Sequence, residues 1–587
     1  MLIPLALTIS FTILLLASTI FIARRAWRAR NNGSAVNAAS GEVTSTASAL
    51  SANQWIRASR STFLILVVVV FAFHSYWVFW ADSSKDSRFV KARALDARNR
   101  RLAESGLKGW VFDRSGKLEN ALIRYRYDGR SLVREYPLGR AGVHITGFSD
   151  FVYGAGGIEA AYRDWLTQPA STYNRLTSPY PVGKDLQVSM DSELQREVFK
   201  EIESSGKPGA AVVLLLPSNE VLAMASTPSF EPGAFQDEAR WRDLVEQADD
   251  PATQPISPLV NRALGTLVTG GPAFYYRPGS TFKTFIAAVA LDSGVTGERF
   301  TCKSEGYTAP SASRPIRDYG GEVHGTMGLK DAFRLSCNQY FAQLGVKLGR
   351  QRLEEYARRL RYLTDPDAAA TRDAKLWQIS HGDQDRFDYV FASPAARMHL
   401  GRGSTDYDIA LQSFGQGYDD FTVMSMALLA SAVASPEGAL SAPTFESNAT
   451  RKPMSSFISA KAAEELRAMM RSVVESGTAA GVFDARIPVA GKTGTADRDV
   501  LVYDRQGRPV IDRDPQGKQH TRTQGSTDSW FIGFAPADKP RIALAVVVEN
   551  GGQGAKTAAP IAKRIVDRCS ALGYFSGGAP QVATGGR

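Results

Sequence analysis

Three short strings in a fixed order constrain the fold of this chain more than any other feature. They are Ser280-Thr281-Phe282-Lys283, Ser336-Cys337-Asn338 and Lys492-Thr493-Gly494. Each string alone is weak evidence, since Ser105 with Lys108 and Ser204 with Lys207 repeat the first spacing. The strings gain meaning only as a set, so we expect one globular domain that folds three distant segments into a single cleft.

The length and charge of the chain suit a folded protein attached to a membrane. Its 587 residues are 44% hydrophobic and 22% charged, which is typical of folded proteins and leaves room for about two to four domains. The net charge is +10, but residues 1–101 alone hold 13 Lys and Arg against four acids. Because this basic excess flanks apolar segments, it favours a membrane and argues against a nucleic acid as the partner.

Two apolar runs near the start of the chain predict two transmembrane helices. Residues 2–22 are uncharged and about long enough to span a bilayer, and residues 62–80 end in aromatic residues typical of a membrane interface. Basic residues from Arg24 to Arg30 follow the first run and none precedes it, which argues against a cleaved signal peptide. We expect a cytoplasmic hairpin at 23–61 and a two-pass membrane protein whose remaining chain lies outside the cell.

After the second apolar run, the sequence patterns predict a small module followed by a larger mixed α/β domain. Short alternating stretches between Gly and Asp turns indicate a β-rich pedestal at 83–190. From 191 to 575, helical and strand patterns mix, and consecutive strands with short turns indicate an antiparallel sheet flanked by helices. Residues 576–587 are rich in glycine and indicate a disordered tail.

The first string has the features of an activated nucleophile. Pro278 and Gly279 precede Ser280 and an apolar run follows it, so Ser280 is expected near a helix N-terminus. Positions i and i+3 share a helix face, which brings Lys283 beside the Ser280 hydroxyl. Serine needs a base to remove its proton, and a buried lysine with a lowered pKa can be that base. The string therefore predicts acyl transfer through Ser280.

The other two strings add polar groups to the same cleft. Ser336 is expected to relay a proton between Lys283 and a leaving group, and Asn338 to bind a substrate amide. Both lie in a stretch with a helical pattern. Without the other two strings, we would interpret them as residues that only begin or interrupt a helix. Lys492 follows an apolar strand and offers a positive charge to a substrate carboxylate. Gly494 would leave space for a ligand backbone to approach.

The cysteines and histidines predict neither a metal site nor a cofactor. The chain has three cysteines and six histidines, without zinc-type spacing or an HExxH string. Cys302 and Cys337 either form a disulfide in an oxidising compartment or remain two buried thiols, and the sequence leaves both open.

At these residues the chain resembles the class B, monofunctional penicillin-binding proteins, a family of serine D,D-transpeptidases. SxxK and KTG strings are associated with this group of enzymes. The resemblance runs from about Trp110 to Gly573 and includes Lys108-Gly109-Trp110-Val111-Phe112-Asp113-Arg114, GAGGIEAAYRDWL, MDSELQ, MASTPSFEP, Asn261-Arg262, Gly415-Gln416-Gly417 and WFIGFAP. The chain departs from the family at YDDFTVMSMALLASA, where a Thr-Pro pair usually opens a helix, and residues 364–400 look like an insertion.

This resemblance implies a substrate, partners and a division of roles. Ser280 would attack the penultimate D-Ala carbonyl of a peptidoglycan stem peptide and pass the acyl group to a neighbouring stem, and β-lactams would acylate the same serine. The N–H groups of Ser280 and Thr495 would hold the oxyanion, while Thr493 and Thr495 would help Lys492 to bind the carboxylate. The segment before the enzyme is too short for a glycosyltransferase, so the resemblance implies a multi-spanning glycosyltransferase partner.

Two other functions compete with this interpretation. A β-lactamase would use the same strings but needs a Glu-containing loop for deacylation, and the one similar string, Glu119-Asn120-Ala121-Leu122, precedes Ser280. A non-catalytic scaffold or β-lactam-binding sensor would keep the cleft without needing its chemistry. Cross-linking of peptidoglycan is the interpretation that the sequence favours.

Overall fold

The computed structural model describes most of the chain after residue 106 and one helix before it. The described residues are 52–75, 107–129, 131–150, 154–168, 182–250, 253–268, 274–310, 312–364, 375–378, 392–401, 403–502, 510–513, 519–521 and 523–576. They belong to two compact units, residues 1–96 and 97–587.

The first unit contains helix α1, Ala52–Ser75. Its side chains between Phe63 and Phe71 are apolar and mostly exposed. Among the described residues, no helix is both long enough and apolar enough to cross a membrane. The predicted span 2–22 and the end of the predicted span 62–80 lie outside the described residues, so both spans remain predictions.

The described residues of the second unit form both helices and strands. Its helices are α2 Val143–Thr146, α3 Gly157–Ala161, α4 Arg163–Leu166, α5 Ser192–Glu203, α6 Glu238–Asp249, α7 Lys283–Asp292, α8 Leu329–Leu335, α9 Asn338–Leu348, α10 Arg350–Arg359, α11 Asp406–Gln412, α12 Val423–Ala434, α13 Ala460–Ser476 and α14 Ala558–Ala571. Its strands are β1 Val111–Phe112, β2 Ala121–Tyr127, β3 Leu132–Glu135, β4 Ser149–Asp150, β5 Gly154–Ala155, β6 Leu186–Gln187, β7 Gly209–Leu215, β8 Glu220–Thr227, β9 Val260–Asn261, β10 Thr266–Leu267, β11 Phe300–Cys302, β12 Gly325–Met327, β13 Lys375–Gln378, β14 Ala392–Pro394, β15 Ala439–Ser441, β16 Pro453–Ser456, β17 Ala490–Leu501, β18 Ile511–Arg513, β19 Gln519–Thr521, β20 Thr523–Ala535 and β21 Ile542–Val548.

A five-stranded antiparallel sheet forms the centre of this unit, in the order β17-β20-β21-β7-β8. Every residue of β7, β8 and β21 is buried, so these strands lack the alternation of a half-exposed sheet. Helices α5 and α14 pack against each other and against the sheet, and α12 also packs on it. The sheet is therefore covered on both faces, and the predicted mixed α/β fold with a helix-flanked antiparallel sheet is confirmed.

Polar caps explain where two of the flanking helices begin. The carboxylate of Asp191 accepts hydrogen bonds from the backbone N–H groups at the start of α5, at 3.0 and 2.9 Å. Thr422 and Ser425 form a reciprocal capping box at the start of α12. A helix thus opens at Val423, within the stretch where the sequence departs from the family it resembles.

The segment predicted to form the pedestal contains a four-stranded sheet in the order β3-β2-β1-β6. Glu159 is fully buried beside it and accepts hydrogen bonds from Arg134 Nε at 2.7 Å and Lys108 Nζ at 3.1 Å. Lys108 therefore belongs to an ion pair within this segment. Asp113 accepts a hydrogen bond from Ser192 Oγ at 2.9 Å, which connects this segment to the start of α5.

The domain limits at 83–190, 191–575 and 576–587 remain predictions. The predicted insertion at 364–400 lies largely outside the described residues.

Candidate active site

Ser280 lies in a short 3₁₀ helix, Gly279–Phe282, that continues directly into α7. Gly279 has a φ of +54°, a left-handed conformation that favours glycine, and a Cβ there would lie 2.6 Å from the carbonyl oxygen of Thr495. The serine segment therefore packs closely against β17, the strand that carries the third string. Ser280 is half-buried at the start of the helix, as predicted from its sequence position.

Lys283 lies at the centre of the site. Its Nζ is 3.0 Å from Ser280 Oγ, 3.2 Å from Ser336 Oγ and 2.7 Å from Asn338 Oδ1. It also donates to the carbonyl oxygen of Ser336 at 2.5 Å, and its side chain is fully buried. Burial lowers the pKa of Lys283 from 10.5 to about 8, with Asp318 opposing the shift. The structure thus brings the predicted base to the predicted nucleophile.

Ser336 and Asn338 lie at a break between two helices. Ser336 ends α8 in a left-handed conformation, with φ of +60° and ψ of 39°, and Asn338 begins α9. Cys337, between them, caps α9 by accepting a hydrogen bond from the N–H of Tyr340 at 3.4 Å. The sequence pattern predicted a helical stretch here, but the turn at Ser336 interrupts it. That turn directs the Ser336 hydroxyl toward both lysines.

Lys492 completes a row of polar groups across the cleft. Its Nζ donates to Ser336 Oγ at 2.8 Å and to the carbonyl oxygen of Thr493 at 3.0 Å. The side chain is fully buried, with the ring of Phe333 5.7 Å from Nζ. Burial, and then repulsion from Lys283, hold the pKa of Lys492 well below its usual value. Ser336 therefore stands between two desolvated amines.

Thr493, Gly494 and Thr495 lie on β17, at the edge of the central sheet. Thr493 Oγ1 is 2.5 Å from Thr478 Oγ1, and Thr495 Oγ1 accepts a hydrogen bond from the N–H of Gly554 at 3.4 Å. Because β17 pairs with β20 on one side only, its other edge carries backbone groups that face away from the sheet.

Gly494 lies where the serine segment packs against β17. A Cβ at this position would lie 2.8 Å from Thr281 Cγ2, 2.9 Å from Trp530 Cβ and 3.1 Å from the carbonyl oxygen of Pro278. The space at Gly494 is thus taken by the serine segment itself and by the neighbouring strand. The glycine is required for packing of that segment on β17, and its role in the approach of a ligand backbone stays a prediction.

Asp318 is a residue of this site that the sequence did not single out. Its Oδ1 accepts a hydrogen bond from the N–H of Asn338 at 2.5 Å, and its Oδ2 accepts one from the N–H of Gln339 at 3.4 Å. A carboxylate at a helix N-terminus is favoured by the free N–H groups and the helix dipole. Asp318 thereby fixes the start of α9, although it lies in a loop with no recognisable string.

A second buried network supports the far end of β17. Glu549 accepts hydrogen bonds from Arg262 Nε at 2.7 Å and from Arg498 Nη2 at 2.8 Å. Although burial acts in the opposite direction, the two guanidinium groups lower the pKa of Glu549. Arg498 also pairs with Asp528 at 2.9 Å. The network joins β17 and β20 to Glu549, the residue that follows β21, and it gives a structural role to Arg262 of the Asn261-Arg262 string.

The repeated spacing at Ser204 and Lys207 has no comparable setting. Ser204 Oγ donates to the carbonyl oxygen of Glu201 at 2.8 Å, and Lys207 Nζ donates to the carbonyl oxygen of Asn550. Both side chains make ordinary contacts to backbone at the surface. Burial and partners therefore distinguish the Ser280 string from the Ser204 repeat. Lys108 of the other repeat is itself buried, in its ion pair with Glu159.

Comparison with known proteins assigns the chain to a family. A model of the penicillin binding protein transpeptidase domain matches residues 209–567. The chain is 26% identical over 546 residues to the peptidoglycan D,D-transpeptidase PbpA of Mycolicibacterium smegmatis, with 88% of this chain and 98% of that protein covered. It is 27% identical over 483 residues to the peptidoglycan D,D-transpeptidase MrdA of Acinetobacter baumannii, with 78% and 63% covered.

Solved structures share the fold. Penicillin-binding protein A from M. tuberculosis, as a penicillin G acyl-enzyme complex, is similar with a TM-score of 0.61 and 24% identity, over 80% of this chain and all 100% of that one. The D,D-transpeptidase domain of a peptidoglycan glycosyltransferase from Eggerthella lenta has a TM-score of 0.59 and 24% identity, over 80% and 99% of the two chains. Since the family model spans more than half of its length, this chain belongs to the penicillin-binding protein transpeptidase family, as its sequence resemblance predicted.

Proposed function

We propose that this chain is a peptidoglycan D,D-transpeptidase that cross-links stem peptides through an acyl-enzyme at Ser280. The observation that carries the proposal is the unbroken series of short contacts from Ser280 through Lys283 and Ser336 to Lys492, at 3.0, 3.2 and 2.8 Å. The names of the relatives PbpA and MrdA, both peptidoglycan D,D-transpeptidases, support the same activity.

Lys283 acts as the base in the first half-reaction. Its neutral amine accepts the proton of Ser280 across 3.0 Å while Oγ attacks the penultimate D-Ala carbonyl of the donor stem. The N–H groups of Ser280 and Thr495 stabilise the oxyanion that forms. When the tetrahedral intermediate collapses, the C–N bond breaks, and the leaving amine receives the proton of Lys283 through Ser336. D-Ala departs and an ester at Ser280 remains.

The second half-reaction transfers the acyl group. An amino group of a neighbouring stem peptide attacks the ester carbonyl, and Lys283 accepts the proton that this amine loses. The C–O bond to Ser280 then breaks, and the serine oxygen recovers a proton from Lys283. One amide cross-link has formed, and the enzyme has returned to its starting protonation state.

The remaining site residues are proposed to bind the donor stem. Asn338 is oriented by Lys283 at 2.7 Å and by the carbonyl oxygen of Arg317 at 3.3 Å, and it presents its amide to a substrate amide. Thr493 and Thr495 share a face of β17, because side chains alternate along a strand. Their hydroxyls hydrogen-bond the terminal carboxylate. The bound carboxylate favours the protonated form of Lys492, so this amine becomes positively charged when the donor stem is in place. Gly494 contributes by allowing the close packing of the serine segment.

β-Lactams are proposed to enter the same pathway as mimics of the donor stem. Ser280 opens the lactam ring and forms an ester, while the leaving amine stays tethered to the adduct. The tethered amine hinders the acceptor, so the adduct is long-lived. This property makes a fluorescent penicillin a direct probe of the site.

We further propose that the chain is a two-pass membrane protein with its enzyme domain outside the cell. The apolar runs at 2–22 and 62–80, with the basic residues from Arg24 to Arg30 between them, support a cytoplasmic hairpin. The glycan strands come from a separate multi-spanning glycosyltransferase in the same membrane. A reporter that is active only outside the cytoplasm should be active after residue 587 and inactive within 31–58, and the opposite pattern would exclude this topology.

Labelling with a fluorescent penicillin, followed by mass spectrometry of the adduct, tests the site assignment. We expect one labelled residue, Ser280, with labelling lost in Ser280→Ala and strongly reduced in Lys283→Ala. Ser204→Ala is the matched control, since Ser204 has the same spacing to a lysine and should leave labelling unchanged. An adduct at another serine would refute the assignment. Cells that keep normal cross-linking with Ser280→Ala, yet still require the protein, would favour a scaffold.

A further inference from the structure

The carboxylate of Glu549 contacts both segments that supply the proposed oxyanion donors. Its Oε1 accepts a hydrogen bond from the hydroxyl of Tyr276 at 2.9 Å, and its Oε2 accepts one from Arg498 Nη2 at 2.8 Å. Tyr276 lies four residues before Ser280, and Arg498 lies three residues after Thr495 on β17. One side chain thus joins the segment that carries the nucleophile to the strand beside it in the cleft.

The central sheet holds Glu549 itself in place. Glu549 directly follows β21, the middle strand of that sheet. Its backbone N–H donates to the carbonyl oxygen of Pro208, just before β7, at 2.8 Å. The N–H of the next residue, Asn550, donates to Asp528 Oδ1 on β20 at 3.0 Å. Because side chains held by a sheet are placed more precisely than those on loops, the carboxylate is a fixed point between the two cleft segments.

The charges around Glu549 keep its carboxylate ionised and its tyrosine partner protonated. Burial alone would raise the pKa of Glu549, but the guanidinium groups of Arg262 and Arg498 lower it. Burial, and then the charge of Glu549, raise the pKa of Tyr276 well above its usual value. The phenol therefore keeps its proton and donates it to the carboxylate. A hydrogen bond to an ionised acceptor is stronger than one between neutral groups, so this link is a firm one.

The hydroxyl of Tyr276 can be separated from the other contacts of the same residue. Tyr276 exchanges two backbone hydrogen bonds with Phe421, both at 2.8 Å, which attach the segment before Ser280 to the start of α12. Its ring packs edge-on against Trp530 of β20, with ring centroids 5.6 Å apart. The hydroxyl alone contacts Glu549, so its removal breaks this link and leaves the backbone bonds and the ring packing in place.

We propose that Glu549 is a positioning residue that sets the separation between the N–H groups of Ser280 and Thr495. In the proposed reaction these two donors stabilise the same oxyanion, so both have to point to one position. A misplacement of about 1 Å at such a site costs about a hundredfold in rate. Glu549 acts through Tyr276 and Arg498 and is not a catalytic residue. Its role rests on the proposed function, since it concerns the oxyanion of that reaction.

Tyr276→Phe tests the link, because it leaves Glu549 with both of its guanidinium partners. Full-length protein in detergent is acylated by fluorescent penicillin in a stopped-flow instrument, and a titration separates the dissociation constant from the acylation rate constant. We expect the rate constant to fall about 10–100-fold, with the dissociation constant within about twofold of the wild type. Tyr362→Phe is the matched control and should change neither constant. The Tyr362 hydroxyl is buried and has no hydrogen-bond partner among the residues that the structure describes.

A boronic acid that forms a tetrahedral adduct with Ser280 tests the oxyanion role directly. The adduct places an oxygen where the oxyanion forms, so it resembles the transition state. Its dissociation constant should rise in Tyr276→Phe by about the factor by which the acylation rate constant falls. A residue that only stabilises the fold would lower the midpoint of thermal unfolding without this match. Because the hydroxyl acts through Glu549, the losses in Tyr276→Phe and Glu549→Gln should combine to less than their product in the double variant.

Several outcomes would overturn the positioning role. They are an unchanged acylation rate constant in Tyr276→Phe, an equal loss in Tyr362→Phe, unchanged affinity for the boronic acid despite slower acylation, or losses that multiply in full in the double variant. If Glu549→Gln fails to fold, the two measurements on Tyr276→Phe decide the question. All of these outcomes leave the proposed function intact, because the wild type still forms its adduct at Ser280. Absence of that adduct in the wild type would instead contradict the proposed function.

Discussion

The pH dependence of acylation tests the assignment of Lys283 as the base. Burial lowers the pKa of Lys283 from 10.5 to about 8. At pH 7 the neutral fraction is then about one tenth, against about 0.03% for an ordinary lysine, so burial raises the concentration of the active base about 300-fold. Because the neutral form is required, the rate must rise with pH through the pKa of Lys283. We expect about a tenfold rise from pH 6 to 7, about fivefold from pH 7 to 8, and a plateau above about pH 9.

The assay is stopped-flow acylation by fluorescent penicillin, measured as a second-order rate constant across this pH range. Lys283→Arg keeps the charge but stays protonated, so it should lose acylation at every pH. Lys207→Ala, at the repeated spacing, should leave the profile unchanged. A rate that stays flat from pH 6 to 9, or falls, in a protein that remains folded would refute the role of neutral Lys283.

Three substitutions test other parts of the account. Ser336→Ala removes the hydroxyl that contacts both lysines and should slow acylation by about 10²–10⁴-fold in the same assay, with little change in thermal stability. Gly494→Ala should displace the serine segment and cost about 1–3 kcal/mol in denaturant unfolding, whereas Gly525→Ala, where a Cβ meets no atom within 4 Å, should cost less. Arg262→Ala leaves a buried carboxylate short of a partner and should cost about 3–5 kcal/mol, against about 0–1 kcal/mol for the exposed pair broken by Arg242→Ala. Equal losses of stability in Gly494→Ala and Gly525→Ala would contradict the packing argument. Equal losses in Arg262→Ala and Arg242→Ala would contradict the argument from burial of the ion pair.

The sequence was most informative where local rules set the structure. The combination of helices with antiparallel strands, such as the buried strands β7 and β21, follows from hydrophobic patterns that involve only neighbouring residues. The pairing of Ser280 with Lys283 follows from helix geometry. These features could be predicted because they depend only on residues that are close in the sequence.

The parts that sequence could not predict depend on packing between distant segments. The left-handed turn at Ser336 interrupts a stretch with a helical pattern, and the carboxylate of Asp318 supports the helix that follows it. Gly494 is required by the approach of the serine segment, which lies more than two hundred residues earlier in the chain. Cys302 and Cys337, both free thiols, likewise meet at Asp318 through the pairing of β11 with β12. Such contacts are set by tertiary structure and leave no local pattern.

The most direct test of the account follows the fate of a donor stem peptide. Purified full-length protein is given a pentapeptide-bearing glycan substrate, and released D-Ala and cross-linked product are both counted. We predict equal amounts of D-Ala and new amide cross-links, with both lost in Ser280→Ala. Release of D-Ala with only hydrolysed stems would contradict transpeptidation, and cross-linking that persists in Ser280→Ala would contradict the acyl-enzyme on which the account depends.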